Sequence, residues 1–111
     1  MIARRPPAGA VCGAIIALLL GCGQTAPRPR FHVVEMRGFA FVPARLEIAA
    51  GDTVVWLNRD VVPHTATGDE RAWDSGSIGP GAHWQRVASD TSTQSYVCTF
   101  HPTMRGTLLV R

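Results

Sequence analysis

Lysine is absent from the 111 residues, so every fixed positive side-chain charge is an arginine. The formal net charge is +3, but two of the arginines, Arg4 and Arg5, lie close to the N-terminus. Beyond residue 21, nine arginines stand against eight acidic residues, and this part of the chain is close to neutral. A nearly balanced charge excludes the broad basic surface that nucleic-acid binding requires, and we predict no nucleic-acid partner.

Charged residues are also few, at 17% of the chain against 46% hydrophobic residues, which excludes a solvated, disordered chain. The length suits one domain, and no internal period of roughly 20–50 residues indicates a repeat protein. Eleven glycines and eight prolines indicate many turns, as all-β folds have.

No apolar run reaches the roughly 18–20 residues that a membrane-spanning helix needs. The longest uncharged run, Ala8–Leu20, follows a basic start, which is the order of a secretory signal. It ends in the letters LLGC at residues 19–22, which resemble a bacterial lipobox, where the chain is cut before the cysteine and the thiol is acylated. We therefore predict that residues 1–21 are a lipoprotein signal peptide and that Cys22 carries a membrane anchor. Ordinary cleavage nearby and a buried helix are the alternatives.

Residues 22–30 continue as a polar segment with two prolines and are predicted to form an extended linker of up to about 3 Å per residue. The domain proper is then residues 31–111. We expect an exported protein, tethered in the periplasm or at the cell surface. Gly23 supplies no aspartate signal for inner-membrane retention, which favours the outer membrane in a Gram-negative cell.

Cysteine is scarce, and its three positions fall in different parts of the chain. Cys12 leaves with the signal and Cys22 would carry lipid, so only Cys98 remains in the domain. A single cysteine excludes an internal disulfide. A lone thiol in an oxidising compartment is protected if it binds a metal, whereas an inert buried thiol is the other interpretation.

Short β-type runs separated by turn residues make up the domain. No apolar stripe of helical length is present. Runs at intervals of about 8–12 residues with Gly and Pro between them are typical of an all-β sandwich or barrel. The predicted strands are Phe31–Met36, Arg45–Ala49, Thr53–Asn58, Trp84–Ala88, Gln94–Cys98 and Gly106–Arg111.

Four residues with metal-binding side chains form the most specific pattern. Cys98, His101 and Met104 are spaced three residues apart, and His64 follows the Thr53–Asn58 run. Two histidines, one cysteine and one methionine are the ligand set of a blue-copper electron-transfer site. Soft sulfur favours Cu(I), whereas imidazole suits both oxidation states, so this mixed set requires little movement during electron transfer.

At these residues the chain resembles the cupredoxins, and among them the plastocyanin/amicyanin type. The resemblance covers Phe31–Arg111 and extends beyond the four candidate ligands. Its further motifs are Phe39-x-Phe41-x-Pro43, the run GDTVVWLN at residues 51–58, Pro63-His64-Thr65, Asp74-Ser75-Gly76, Pro80-Gly81 and Tyr96-x-Cys98.

The resemblance implies an eight-stranded Greek-key β-sandwich that holds one copper ion through His64, Cys98, His101 and Met104. It also implies that His101 shows its ring edge at the surface, inside an apolar patch that docks a redox protein. That patch would include Pro63, Phe100, Pro102 and Met36. Thr65 departs from the asparagine that often follows the first histidine, so the link between the two ligand loops is expected to be weaker.

The resemblance implies a monomeric, non-enzymatic carrier of single electrons. A multicopper oxidase is disfavoured, because four histidines in all cannot supply a second copper cluster. A copper carrier or store that delivers the ion is the alternative that the ligand set leaves open. His32 and His83 fit no ligand spacing and are predicted to be ordinary strand or loop residues.

Overall fold

The computed structural model describes residues 2–4, 9 and 28–111. The predicted lipobox, Cys22 and most of the linker lie outside the described residues. Over the described part, the chain has no helix of the length and apolar character needed to cross a membrane.

Eight strands form the domain, as predicted. The two missed by the sequence prediction, β2 and β5, are only two residues long, which is too short for an alternating pattern. The other six lie within two residues of their predicted bounds. The strands are β1 (Phe31–Met36), β2 (Phe41–Val42), β3 (Arg45–Ile48), β4 (Thr53–Asn58), β5 (Thr67–Gly68), β6 (His83–Val87), β7 (Ser92–Val97) and β8 (Arg105–Val110).

The strands build two four-stranded mixed sheets, in the orders β2-β1-β4-β6 and β3-β8-β7-β5. Strands β1 and β4 run parallel, as do β3 and β8, and the remaining neighbours are antiparallel. The described part of the chain is thus an all-β Greek-key sandwich, apart from a short 3-10 turn at Asp69–Arg71.

Alternation of side chains along the strands produces the core. In β1, Val34 and Met36 point inward, and in β4 the inward residues include Val54 and Trp56, all fully buried. Trp56 lies at the centre of an aromatic cluster and contacts the rings of three neighbours at centroid distances of 5.3–5.5 Å. These neighbours are Trp73, Trp84 and Tyr96. Trp56 is therefore a core residue.

Two glycines leave room for aromatic rings that pack under the second sheet. A Cβ at Gly106 would collide with the Tyr96 ring, which lies across from it on β7. A Cβ at Gly68 would lie 2.7 Å from the indole nitrogen of Trp73. Both positions are therefore restricted to glycine by the close approach of a neighbouring ring.

Arg86 lies on β6 beside the aromatic cluster, where two neighbouring side chains contact it. Its guanidinium stacks 4.6 Å from the Trp73 ring centroid, and it donates a hydrogen bond to Gln94 at 2.9 Å. Burial lowers the pKa of Arg86. The cation–π contact allows a charged side chain to cover the edge of the aromatic cluster.

Candidate metal centre

The candidate ligands lie at one end of the sandwich, where β4 and β7 end and β8 begins. His64 follows β4 and is held by a short antiparallel bridge to Ile78, with backbone hydrogen bonds of 3.1 and 2.7 Å. Its side chain is completely buried. The histidine is therefore fixed by backbone pairing and by the packing around its ring.

The second loop, residues 98–104, carries the other three candidates. Its turns are closed by backbone hydrogen bonds from His101 to Cys98, from Met104 to His101 and from Cys98 to Met104, at 3.2, 2.9 and 3.1 Å. Cys98 and Met104 are buried, whereas His101 is partly exposed. The loop thus presents one donor to the surface and keeps two inside.

Three donor atoms converge between these loops. The Nδ1 atoms of His64 and His101 are 3.2 Å apart, and each lies 3.7 Å from the Cys98 Sγ. All three lie within 4.8 Å of one another. Two imidazole nitrogens and one thiol, facing one point in a largely buried site, can hold a metal ion.

Asp60 fixes which nitrogen of His64 is free to bind a metal. The Nε2 of His64 is 2.7 Å from the Asp60 carboxylate, so this nitrogen carries the proton and donates a hydrogen bond to the carboxylate. The Nδ1 lone pair then points towards Cys98. Carboxylates that orient a histidine ligand in this way also raise its basicity.

Asp60 also binds the loop after β1, since it accepts hydrogen bonds from the backbone N–H groups of Gly38 and Phe39, at 2.7 and 3.0 Å. Burial opposes ionisation of this carboxyl, but the bonds from Phe39, His64 and Gly38 together hold its pKa below the ordinary value. The sequence analysis missed Asp60. An acidic residue four positions before a candidate histidine was the available signal.

Phe39 belongs to the family pattern, but its contact with the two histidines of the site was not predicted. Its ring meets His101 edge to face, with centroids 4.9 Å apart, and His64 at 5.6 Å. The residue is 53% exposed, and its backbone has a positive φ of 58°. Phe39 therefore covers one side of both histidines.

The two ligand loops are linked through Thr65 despite the missing asparagine. The Thr65 hydroxyl accepts a hydrogen bond from the Thr99 N–H at 2.9 Å and lies 3.1 Å from the Thr99 hydroxyl. The Thr65 N–H donates to the Cys98 Sγ at 3.3 Å. Threonine thus supplies both a side-chain and a backbone connection between the loops.

The predicted surface around His101 is mostly exposed, with one correction. Pro63, Phe100 and Pro102 are exposed, and Phe100 retains 50% of its surface. Met36 was expected in the same patch, but this was wrong, because Met36 is fully buried. It occupies the inward-facing position after Val34 on β1, so alternation assigns it to the core.

The other two histidines lie away from these donors. His32 is on β1 and its Nε2 lies 2.8 Å from the Asp52 carboxylate. His83 is an exposed residue at the start of β6. Both are ordinary strand residues, as predicted.

Comparison with known proteins agrees with this geometry. Residues 31–111 match the family of copper-binding proteins of the plastocyanin/azurin type. The sequence is 31% identical over 83 residues to amicyanin from Paracoccus denitrificans, covering 70% of this chain and 63% of that protein. It is 33% identical over 75 residues to chloroplast plastocyanin from Fritillaria agrestis, covering 56% and 45%. The chain thus spans less than two thirds of the length of these relatives.

Solved structures give the same result. A Cu(I) structure of an amicyanin variant superimposes with a TM-score of 0.69 at 26% identity, covering 79% of this chain and 87% of the other. A purple cupredoxin from Nitrosopumilus maritimus gives a TM-score of 0.66 at 25% identity, covering 71% and 98%. The arrangement of two histidines, a cysteine and a methionine is typical of a type 1 copper site, so copper is the cofactor.

Proposed function

Because the chain belongs to the plastocyanin/azurin family of copper-binding proteins, we propose that it carries single electrons between redox partners. The copper ion would be held by His64, Cys98, His101 and Met104, which together supply two imidazole nitrogens, a thiolate and a thioether. The observation that carries this proposal is the convergence of both Nδ1 atoms and the Cys98 Sγ.

The copper supplies a one-electron couple between Cu(II) and Cu(I). The protein's part is to keep the donor positions nearly unchanged between the two states. The Thr65 hydrogen bond to Cys98, the Asp60 hydrogen bond to His64 and the bonds that close the 98–104 loop all restrict movement of the donors. A restrained donor set reduces the structural change that accompanies electron transfer.

His101 is the candidate route for the electron, since it is the only one of the four candidate ligands with substantial surface exposure. Phe100 and Pro102 flank it in the chain and Pro63 precedes His64, and these exposed residues would form the docking surface for a cytochrome, oxidase or reductase. No substrate chemistry is required, so the protein would act as a carrier and not as an enzyme. We expect it to work as a monomer.

The location is a further part of the proposal. The basic start, the apolar run and the lipobox-like residues 19–22 support export and acylation of Cys22. The domain would then be tethered to a membrane in the periplasm or at the cell surface, and the outer membrane is favoured in a Gram-negative cell. Mass spectrometry of the protein purified from a bacterial host tests this directly, because a diacylglyceryl cysteine at position 22 adds a defined mass.

Copper titration tests the site. A soluble protein comprising residues 24–111, prepared without metal, is titrated with Cu(II) and followed by visible absorption. One equivalent should produce an intense blue thiolate-to-copper band, and Cys98→Ser should abolish it. A weak band typical of nitrogen and oxygen ligands in the unsubstituted protein would contradict the proposal.

A second measurement separates electron transfer from copper delivery. An electron carrier should show fast self-exchange between Cu(I) and Cu(II) protein and slow loss of copper to a chelator. Rapid transfer of copper to the chelator would favour the alternative, a protein that stores or delivers the ion.

A further inference from the structure

We propose that the end of the sandwich that carries the site selects a redox partner with an acidic rim around its own apolar contact surface. Three exposed arginines, Arg37, Arg59 and Arg105, lie in or directly beside the loops that carry the apolar surface at this end. The inference rests on the proposed electron-carrier function and adds the chemistry of the partner to it.

The centre of this surface is apolar. Phe39, Val61 and Phe100 are 53%, 91% and 50% exposed, and Pro63 and Pro102 are exposed between them in the same loops. We call these five residues the apolar patch. An apolar centre with polar residues around it is the usual anatomy of a protein–protein interface.

The patch is held in place before a partner arrives. Asp60 accepts hydrogen bonds from the backbone of Gly38 and Phe39, and the Phe39 ring packs against His101 at 4.9 Å. The other four residues of the patch lie in two short loops, 59–63 and 98–104, which are closed by hydrogen bonds. A surface that is already ordered loses less conformational entropy on binding.

The segments that carry the patch contain three arginines and one aspartate. Arg37 directly follows β1, Arg59 directly follows β4, and Arg105 directly follows Met104, and all three are exposed. Among residues 37–40, 59–63 and 99–105, Asp60 is the sole carboxylate, and it is occupied by His64 and two backbone N–H groups.

Other carboxylates lie outside these three segments. Glu35 is 3.7 Å from Arg37, in an ion pair that is largely exposed and therefore weak. Asp69 and Glu70 belong to the 3-10 turn after β5, at the edge of the second sheet. The rim of the patch therefore presents arginines, which complement a carboxylate-rich surface.

This charge pattern should act mainly on the rate of association. Complementary charges at the rim of an interface steer the encounter, and their effect weakens as salt screens them, over about 10 Å at 0.1 M ionic strength. The partner would therefore meet this end of the molecule in preference to the rest of the nearly neutral surface.

The test compares two variants of equal net charge. Arg37, Arg59 and Arg105 are replaced together by glutamine in the first variant, and Arg28, Arg30 and Arg111, at the opposite end, are replaced in the second. Reduced, copper-loaded full-length protein is mixed in detergent with an acidic or a basic ferric c-type cytochrome. One electron leaves Cu(I) and reduces the ferric haem, so the bimolecular rate is read from haem absorption.

For the acidic cytochrome, we expect the unsubstituted protein to react faster at low than at high salt. The first variant should lower the low-salt rate by about tenfold, and the second by less than about twofold. The blue band should be unchanged in both, which shows that the site is intact. Equal rates for the two variants, or a faster reaction with the basic cytochrome, would overturn the inference. Absence of the blue band, or of reaction with either cytochrome, would instead overturn the proposed function on which it rests.

Discussion

Two histidine–aspartate pairs lie at opposite ends of the same sheet. At one end His64 meets Asp60 at 2.7 Å, and at the other His32 meets Asp52 at 2.8 Å. The hydrogen bonds are nearly identical in length, and in both pairs the aspartate also accepts two backbone N–H bonds. The two pairs differ in the atoms that face the other nitrogen of the imidazole ring.

The second nitrogen of His64 faces a cysteine sulfur and another imidazole inside the protein, whereas His32 is not part of any convergent donor group among the described residues. The same pair of residue types therefore orients a candidate metal ligand at one end. At the other end it links β1 to the turn before β4 through hydrogen bonds. The comparison shows that a carboxylate partner does not by itself identify a metal-binding histidine. The atoms that face its other nitrogen do.

The largest expected difference between the two pairs comes from replacing the histidine of each. His64→Ala should abolish the blue band, because one of the three converging donors is lost. His32→Ala should keep the band, since its ring lies outside the donor group. Visible absorption during copper titration measures both. A normal band in His64→Ala would remove this histidine from the site.

Replacing the aspartate of each pair should give a smaller difference, in copper affinity. Asp60→Asn removes the charge that orients His64, and we expect copper affinity to fall about 10–100-fold, which is typical when such a partner is lost. Asp52→Asn should leave copper affinity unchanged. Competition with a copper chelator measures the affinities, and an equal loss in both variants would indicate a general effect on folding.

Acid should reveal the structural role of Asp52. Backbone donation by Arg30 and the bond from His32 lower the pKa of Asp52 from 3.8 to about 2 in the folded protein. A carboxyl with a lowered folded-state pKa stabilises the fold fully above its unfolded value and loses that contribution as pH falls through the folded value. The stability difference between the unsubstituted protein and Asp52→Asn should therefore shrink as pH falls from about 4 towards 2.

Urea unfolding of the copper-free proteins at several pH values measures that difference. Removing the metal keeps changes at the ligands from entering the comparison. A difference that stays constant down to pH 2 would show that Asp52 is not stabilised in its ionised form.

The smallest effect is expected at the link between the two loops near the site. Thr65→Val keeps the shape and the N–H bond to Cys98 but leaves the Thr99 N–H without its acceptor. We expect a loss of about 1–3 kcal/mol in the unfolding free energy of the copper-free protein. Thr103→Val, an exposed change on the same loop, is the control and should cost less. Equal values for both would show that the link contributes nothing.

The sandwich and the two loops of the site were predictable from the sequence. The loops were identified by residue types that are rare in this chain. One cysteine in the domain, and a histidine and a methionine at three-residue intervals after it, leave few other interpretations. The six longer strands were predictable from alternation. Strands of two residues were not, since their pairing is decided by distant neighbours such as Met36 with Phe41.

The surroundings of the site were harder to predict for a physical reason. Asp60 acts through contacts with residues more than 20 positions earlier in the chain, and Phe39 reaches His101 across more than 60. The four-residue spacing indicates the Asp60–His64 pair, but nothing in the local sequence marks the contacts of Asp60 with Gly38 and Phe39 or that of Phe39 with His101. The misplacement of Met36 has a different origin, because alternation from Val34 already assigned it to the interior.

The order of the second sheet has a consequence for biosynthesis. Strand β8 is made after every other strand, yet it lies between β3 and β7. A growing chain that lacks β8 leaves β3 without its neighbour and leaves the 98–104 loop attached at one end only. The pairing that holds both ends of the 98–104 loop is therefore complete only once β8 has joined the sheet between β3 and β7.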